Sequence, residues 1–158
     1  MLISKRAIDI TQIRNDFPAL TYCNAKGQPV VYLDNSATTQ KPQSVIDTLN
    51  DFYLNKNSNV HRSFYDWGKL STEAYEKTRE NLAQFIGTEF KEEIVFTRGA
   101  TEAINCVAEI FGQRFLKPGD DVIVSELEHH SNIIPWQLQQ QKRGIRVKGL
   151  RILPNGDV

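Results

Sequence analysis

The stretch EIVFTRGATEAINCVAEIFGQRFLKPGDDVIVS, residues 93–125, decides the fold class. Glu93-Ile94-Val95-Phe96 reads as a short strand of the buried type, and Arg98-Gly99-Ala100 as a tight turn. A helix starting at Thr101 then places Ile104, Val107, Ala108, Phe111 and Phe115 on one face, and Lys117-Pro118-Gly119-Asp120 closes it. Val122 to Val124 is a second strand, running into the polar loop Glu126 to Ser131. Beyond it, a helix beginning near Ser131 takes Pro135 in its first turn and stops at Gly144, after which Ile145, Val147 and Leu150 mark a further strand. Strands joined through helices of this length cannot be hairpins. They predict crossover connections and an α/β fold, a mostly parallel sheet with helices on both faces.

Toward the N-terminus the same rhythm is weaker. Leu70, Ala74, Thr78, Leu82, Phe85 and Ile86 form the stripe of a long helix with Gly87 as its left-handed stop. Pro42 opens an earlier helix bearing Val45, Ile46, Leu49, Phe52 and Tyr53, which breaks in the polar run NKNSN, residues 55–59. VVYL, residues 30–33, reads as a strand entering the polar loop Asp34-Asn35-Ser36. Asp9 to Phe17 reads as a short docking helix ended by Pro18. Residues 1–25 are thus expected to be an N-terminal segment and 26–158 a large domain. Asn155-Gly156 is a turn signal with two residues after it, and three strands do not complete a doubly wound sheet. The pattern therefore predicts the front part of a longer protein.

Composition removes several function classes. Nineteen Lys and Arg balance nineteen Asp and Glu, so no net field favours a nucleic acid or an anionic membrane. No apolar run has the length of a membrane span or signal core. Cys23 and Cys106 are far apart with no CxxC, which suits free thiols in a reducing compartment, and a cytoplasmic location is expected. Cys106, between Ile104 and Val107, is expected to be buried and inert, and nothing basic adjoins Cys23 to activate it.

Three places carry candidate chemistry. At the turn Arg98-Gly99-Ala100-Thr101-Glu102, the first N–H groups of a helix and the Thr101 hydroxyl could hold a phosphate, while Thr101 serves equally well as a plain helix cap. Neither GxGxxG nor GxxxxGK[ST] is present. The loop Glu126-Leu127-Glu128-His129-His130-Ser131-Asn132 follows a strand, where ligands of open α/β sheets bind, and at most one of its adjacent imidazoles can face a shared crevice. Two polar loop histidines are the plainer reading. A third metal ligand at convincing spacing is missing, so no metal is expected. Asn59-Val60-His61-Arg62 could bind a carboxylate or meet another subunit, although taken alone it reads as a solvated lead-in to a helix.

Taken in order, Tyr32-Leu33-Asp34-Asn35-Ser36-Ala37-Thr38-Thr39-Gln40-Lys41-Pro42, Val60-His61-Arg62, Arg98-Gly99-Ala100-Thr101-Glu102-Ala103-Ile104-Asn105 and Glu128-His129-His130-Ser131-Asn132-Ile133-Ile134-Pro135-Trp136 closely resemble the SufS/CsdA-type cysteine desulfurases. These are pyridoxal-phosphate enzymes of the class V aminotransferase group, and the resemblance runs from about Asp16 to the end of the chain. It implies the first part of a type I pyridoxal-phosphate transferase large domain. It implies that Ala100 and Thr101 bind the phosphate of pyridoxal 5'-phosphate, and that His129 stacks on the cofactor ring and assists proton transfer. His61 would stand beside the substrate pocket, and Asn35, Ser36 and Ala37 would line it. The implied reaction takes sulfur from L-cysteine, leaving L-alanine and an enzyme persulfide. A SufE-type acceptor or an iron–sulfur scaffold then receives the sulfur, and the complete enzyme is a homodimer. L-Selenocysteine is the alternative substrate of close relatives. The family's cofactor-bonding lysine, pyridinium-pairing aspartate, persulfide cysteine and carboxylate-binding arginine have no counterpart here, and no lysine stands in a Ser-Gly-His-Lys setting. The resemblance therefore predicts that this chain alone is an inactive fragment. A non-catalytic remnant or a module for some other phosphate stays open beside it.

Overall fold

The computed structural model describes residues 8–157, which form two compact units that part between Lys91 and Glu92. In the first unit, helix α1 (Ile10–Asn15) is capped by Asp9, whose carboxylate accepts the N–H groups of Thr11 and Gln12 at 3.0 and 3.1 Å. Pro18 ends it as the sequence predicts and opens a 3-10 turn, Pro18–Thr21. The Arg14 guanidinium donates to the carbonyls of Leu20 (3.0 Å) and Val30 (2.7 Å), and the Gln43 N–H donates to the Asp16 carbonyl at 2.7 Å. These bonds tie the N-terminal segment to helix α2 (Gln43–Asp51), which Pro42 precedes and which runs into a π-helical turn, Phe52–Lys56. Helix α3 (Asp66–Ile86) ends where Gly87 takes φ 82°. That conformation favours glycine, and it lets the Gly87 and Thr88 N–H groups both reach the Ala83 carbonyl at 3.0 Å.

The second unit contains helix α4 (Ala100–Phe115), strand β1 (Asp121–Ser125), helix α5 (Ile134–Arg143) and strand β2 (Arg146–Leu150). β1 and β2 pair in parallel with Asp121 opposite Arg146 and Ser125 opposite Leu150, so α5 lies in the crossover between them, as the spacing predicts. Asp121 accepts from Arg146 at 2.6 Å and from Lys148 at 2.5 Å, which fixes the register at the start of the ladder. Val124 and Ile145 are buried, and the Ile145 side chain is 2% exposed. Helix α5 lies on α4 over two small residues, Ala108 and Gly112. Gln139, itself 3% exposed, and Lys142 donate to Glu109 at 2.8 Å each, and Arg143 does so at 3.1 Å.

Three expectations are corrected. Val30–Leu33 forms no strand, and the nearby pairing is a single antiparallel bridge between Cys23 and Pro29. Glu93 closes a 3-10 turn, Lys91–Glu93, and Ile94–Phe96 joins no ladder. Both segments have β-type side chains, but a strand needs a neighbour, and β1 and β2 pair with each other in the one two-stranded sheet described. Val31, Leu33 and Val95 are accordingly exposed. Cys106 is exposed instead of buried, because the packed side of α4 runs through Ala108 and Gly112 and leaves Val107, Phe111 and Phe115 outside.

Candidate functional site

The N-terminus of α4 is open. Gly99, and not Thr101, holds the cap position, with an extended backbone and no side-chain cap bond, so Thr101 lies inside the first turn. The first N–H to enter the helix ladder is that of Ala103, which donates to the Gly99 carbonyl at 3.1 Å. Those of Ala100, Thr101 and Glu102 precede it and remain free to meet an anion. A side chain built on Gly99 would meet nothing within 4 Å, so there is room over the turn. Glu102 folds back, its carboxylate accepting the Arg98 N–H at 2.6 Å and lying 3.8 Å from the Arg98 guanidinium. Its negative charge is thereby partly neutralised beside the open amides.

His129 caps the 3-10 turn His130–Asn132, and that turn packs against α4, the helix that carries Thr101. The His129 Nδ1 accepts the Ser131 N–H at 3.1 Å and lies 2.9 Å from the Ser131 hydroxyl. A nitrogen that accepts a backbone N–H carries no proton, so the neutral ring has its proton on Nε2 and presents that atom outward. The ring of His130 meets it edge-on at 79° with 6.1 Å between centroids, and His130 lies in a 3-10 turn, where the alternation of an extended segment does not apply. Asn132 donates to Glu128 at 3.0 Å and accepts from the Trp136 indole at 3.1 Å, which fastens the loop to the start of α5.

His61 belongs to the first unit. It and Arg62 take left-handed backbone angles, φ 61° and 51°, a strained conformation for side chains of this size. Three contacts from α3 hold it there. Its N–H donates to the Thr72 hydroxyl at 2.9 Å, its Nε2 lies 2.9 Å from Glu76 Oε1, and its ring meets that of Tyr75 edge-on with centroids 5.5 Å apart. Glu76 stays ionised below the ordinary carboxylate range, first because of the His61 bond and then because of Lys91 and Arg79 beside it. His61, Arg62, Lys69 and Glu76 are among the residues lining an open cavity of about 400 Å³.

Asn35, Ser36 and Ala37 form a turn closed on itself. The Ala37 and Thr38 N–H groups donate to the Asp34 carbonyl at 3.2 Å, and the Tyr32 hydroxyl reaches the carbonyls of Asp34 (3.0 Å) and Thr38 (2.5 Å). Asn35 lines a second cavity, of about 300 Å³, with Ile13, Phe17, Leu20 and Tyr32. Sequence reasoning missed Thr72, Tyr75, Glu76 and Ser131. Thr72 and Glu76 are one helical turn apart on α3 and so share a face, but nothing local in the sequence brings the loop of His61 back onto it. Among the described residues, no three of His, Cys, Asp or Glu gather as a metal site, and no helix is long and apolar enough to cross a membrane.

The class V aminotransferase model matches residues 31–158. The chain is 49% identical over 140 residues to a probable cysteine desulfurase of Mycolicibacterium paratuberculosis, covering 89% of this chain and 20% of that protein. It is 48% identical over 149 residues to a cysteine desulfurase of Synechococcus elongatus, covering 94% of this chain and 23% of the relative. The apo cysteine desulfurase of Thermococcus onnurineus superposes with a TM-score of 0.80 at 34% identity, over 92% of this chain and 34% of that one. CsdA of Escherichia coli does so with a TM-score of 0.76 at 38% identity, over 94% and 36%. The chain thus spans between a fifth and just over a third of the length of these relatives. With four-fifths of its residues inside the family model and its motifs in the same order, the chain belongs to the class V aminotransferases.

Proposed function

We propose that the protein is a cysteine desulfurase that uses pyridoxal 5'-phosphate, the reaction being L-cysteine plus a thiol giving L-alanine plus a persulfide. The observation that carries this reading is the open α4 N-terminus in a chain 48–49% identical to cysteine desulfurases. The free N–H groups of Ala100 and Thr101, the Thr101 hydroxyl and the space over Gly99 fit a phosphate monoester. Those groups would hold the phosphate, and His129 would lie against the ring. When bound, the cofactor supplies the electron sink that lets bonds at the substrate's α- and β-carbons break. The chain's own part is to orient and to move protons. His129 Nε2 holds a proton to give, because Ser131 occupies Nδ1. His61 and the turn Asn35-Ser36-Ala37 would receive the amino acid. The lysine bonded to the cofactor and the persulfide thiol would come from outside these residues, since neither exposed cysteine has a basic neighbour to make it a nucleophile. A SufE-type protein or an iron–sulfur scaffold would take the sulfur, and the working unit would be a homodimer.

The test is to purify the protein as its source cell makes it, supply L-cysteine or L-selenocysteine, and measure alanine formed against sulfide or selenide. Alanine from cysteine in the presence of a thiol is the expected result, and alanine from neither amino acid removes the proposal. Thr101→Ala deletes one of the phosphate donors and should weaken retention of the cofactor by about tenfold or less, measured by equilibrium dialysis.

A further inference from the structure

We propose that Glu76 is a positioning residue that fixes the His61 ring so that Nδ1, and not Nε2, is the nitrogen offered to the cavity beside it. The geometry is complete within the first unit. Glu76 Oε1 lies 2.9 Å from His61 Nε2, and the carboxylate also pairs with Lys91 at 3.3 Å and with Arg79 at 4.0 Å. An ionised carboxylate among those cations can only accept, so Nε2 must donate and carries the proton. In the neutral ring Nδ1 is then left with its lone pair. The side chain of His61 is 51% exposed and lines the open cavity, so Nδ1 can accept a proton or hydrogen bond from a bound molecule.

The backbone points the same way. His61 and Arg62 both hold left-handed angles that loop residues of their type ordinarily leave. The Thr72 hydroxyl takes the His61 N–H one helical turn before Glu76 takes the ring, and Tyr75 packs on the ring edge. Backbone, ring edge and ring nitrogen are each held by a different residue of α3, which favours this orientation of the imidazole. Polarising a neutral imidazole through Nε2–H makes its Nδ1 the better acceptor. Glu76 therefore sets both the direction and the basicity of the atom that meets an amino-acid substrate. This substrate role rests on the desulfurase reading, whereas the ring state does not.

The experiment uses the full protein with histidine labelled at both ring nitrogens, His61→Asn being used to assign the signal, and follows Glu76→Ala and Glu76→Gln by nitrogen NMR at neutral pH. His61 is expected to be in the Nε2–H form in the parent. Glu76→Ala should give a mixture of the two tautomers. Glu76→Gln, whose amide oxygen can still accept, should largely restore the parent ring. With L-cysteine, kcat/KM should fall on the order of tenfold for Glu76→Ala and less for Glu76→Gln. A role confined to folding would lower the melting temperature without reordering the tautomers. An Nδ1–H form in the parent, or a ring unchanged in Glu76→Ala, overturns the proposal. A ring that changes while turnover does not overturns the substrate role. A parent protein inactive on cysteine would instead overturn the desulfurase reading, with the ring result still deciding what Glu76 does.

Discussion

At the scale of single residues, the loop that carries His61 depends on Gly68. A Cβ at Gly68 would lie 2.0 Å from Ser63 Cβ and 2.6 Å from its hydroxyl, so an added methyl group must push the loop away from α3. Ser63 cannot easily yield, since its hydroxyl is bonded to the carbonyls of Asn59 (3.0 Å) and His61 (3.2 Å). Gly68→Ala should therefore destabilise the protein by roughly 1–3 kcal/mol, seen as a lower melting temperature, and adding Ser63→Gly should recover part of the loss. Additive losses in the double variant would refute the contact. Some of this was legible beforehand. Thr101 and His129 stand out because a helix start after a glycine turn and a polar loop after a strand are local signals. Their surroundings were less so. That Gly99 takes the cap and Thr101 the first turn depends on a shift of two residues in helix phase, and the bond from Ser131 to His129 depends on a turn too short to show periodicity.

Among elements, helices were read more reliably than strands. The stops at Gly87 and Gly144 and the start after Pro42 were visible because caps are written within one turn of chain. Strands at 30–33 and 93–96 were not decidable in this way, since a ladder is a contract with a distant partner. The α4–α5 contact also escaped the sequence, although it rests on one carboxylate. Glu109 is lowered from 4.5 to about 2, first by its bond from Lys142, then by that from Gln139, with Arg143 adding to the effect. Its folded-state value lies below the unfolded one, so its contribution is present above pH 4.5 and disappears as pH falls toward about 2. In circular dichroism melts taken across that window, Glu109→Gln should flatten the acid-side loss of stability relative to the parent. Parallel curves for the two proteins would mean that the cluster does not stabilise the fold. The effect will be modest, as Glu109 is about half exposed.

For the molecule as a whole, the balance between apolar side chains and buried volume matters most. The buried apolar side chains among the described residues are Ala83, Ala108, Val124, Pro135 and Ile145, while Phe64, Phe85, Val107, Phe111 and Phe115 are more than 40% exposed. Helix α4 alone presents the ring pair Phe111–Phe115, with centroids 4.9 Å apart, on its outer side. Surfaces of this kind associate. The 158-residue chain expressed by itself is expected to bind an apolar dye strongly and to sediment above 18.1 kDa in a concentration-dependent manner. A sharp monomer without dye binding would show that these side chains are covered in solution. The left-handed pair at His61 and Arg62 takes on a different meaning against so small a core. Glycine at both positions would remove a conformational penalty on the order of 1–2 kcal/mol for each residue. That sum is a sizeable part of what any small domain has to spare. The loop is thus a standing cost to the fold, and the bonds that Thr72 and Glu76 make to His61 have to offset it before they stabilise anything else.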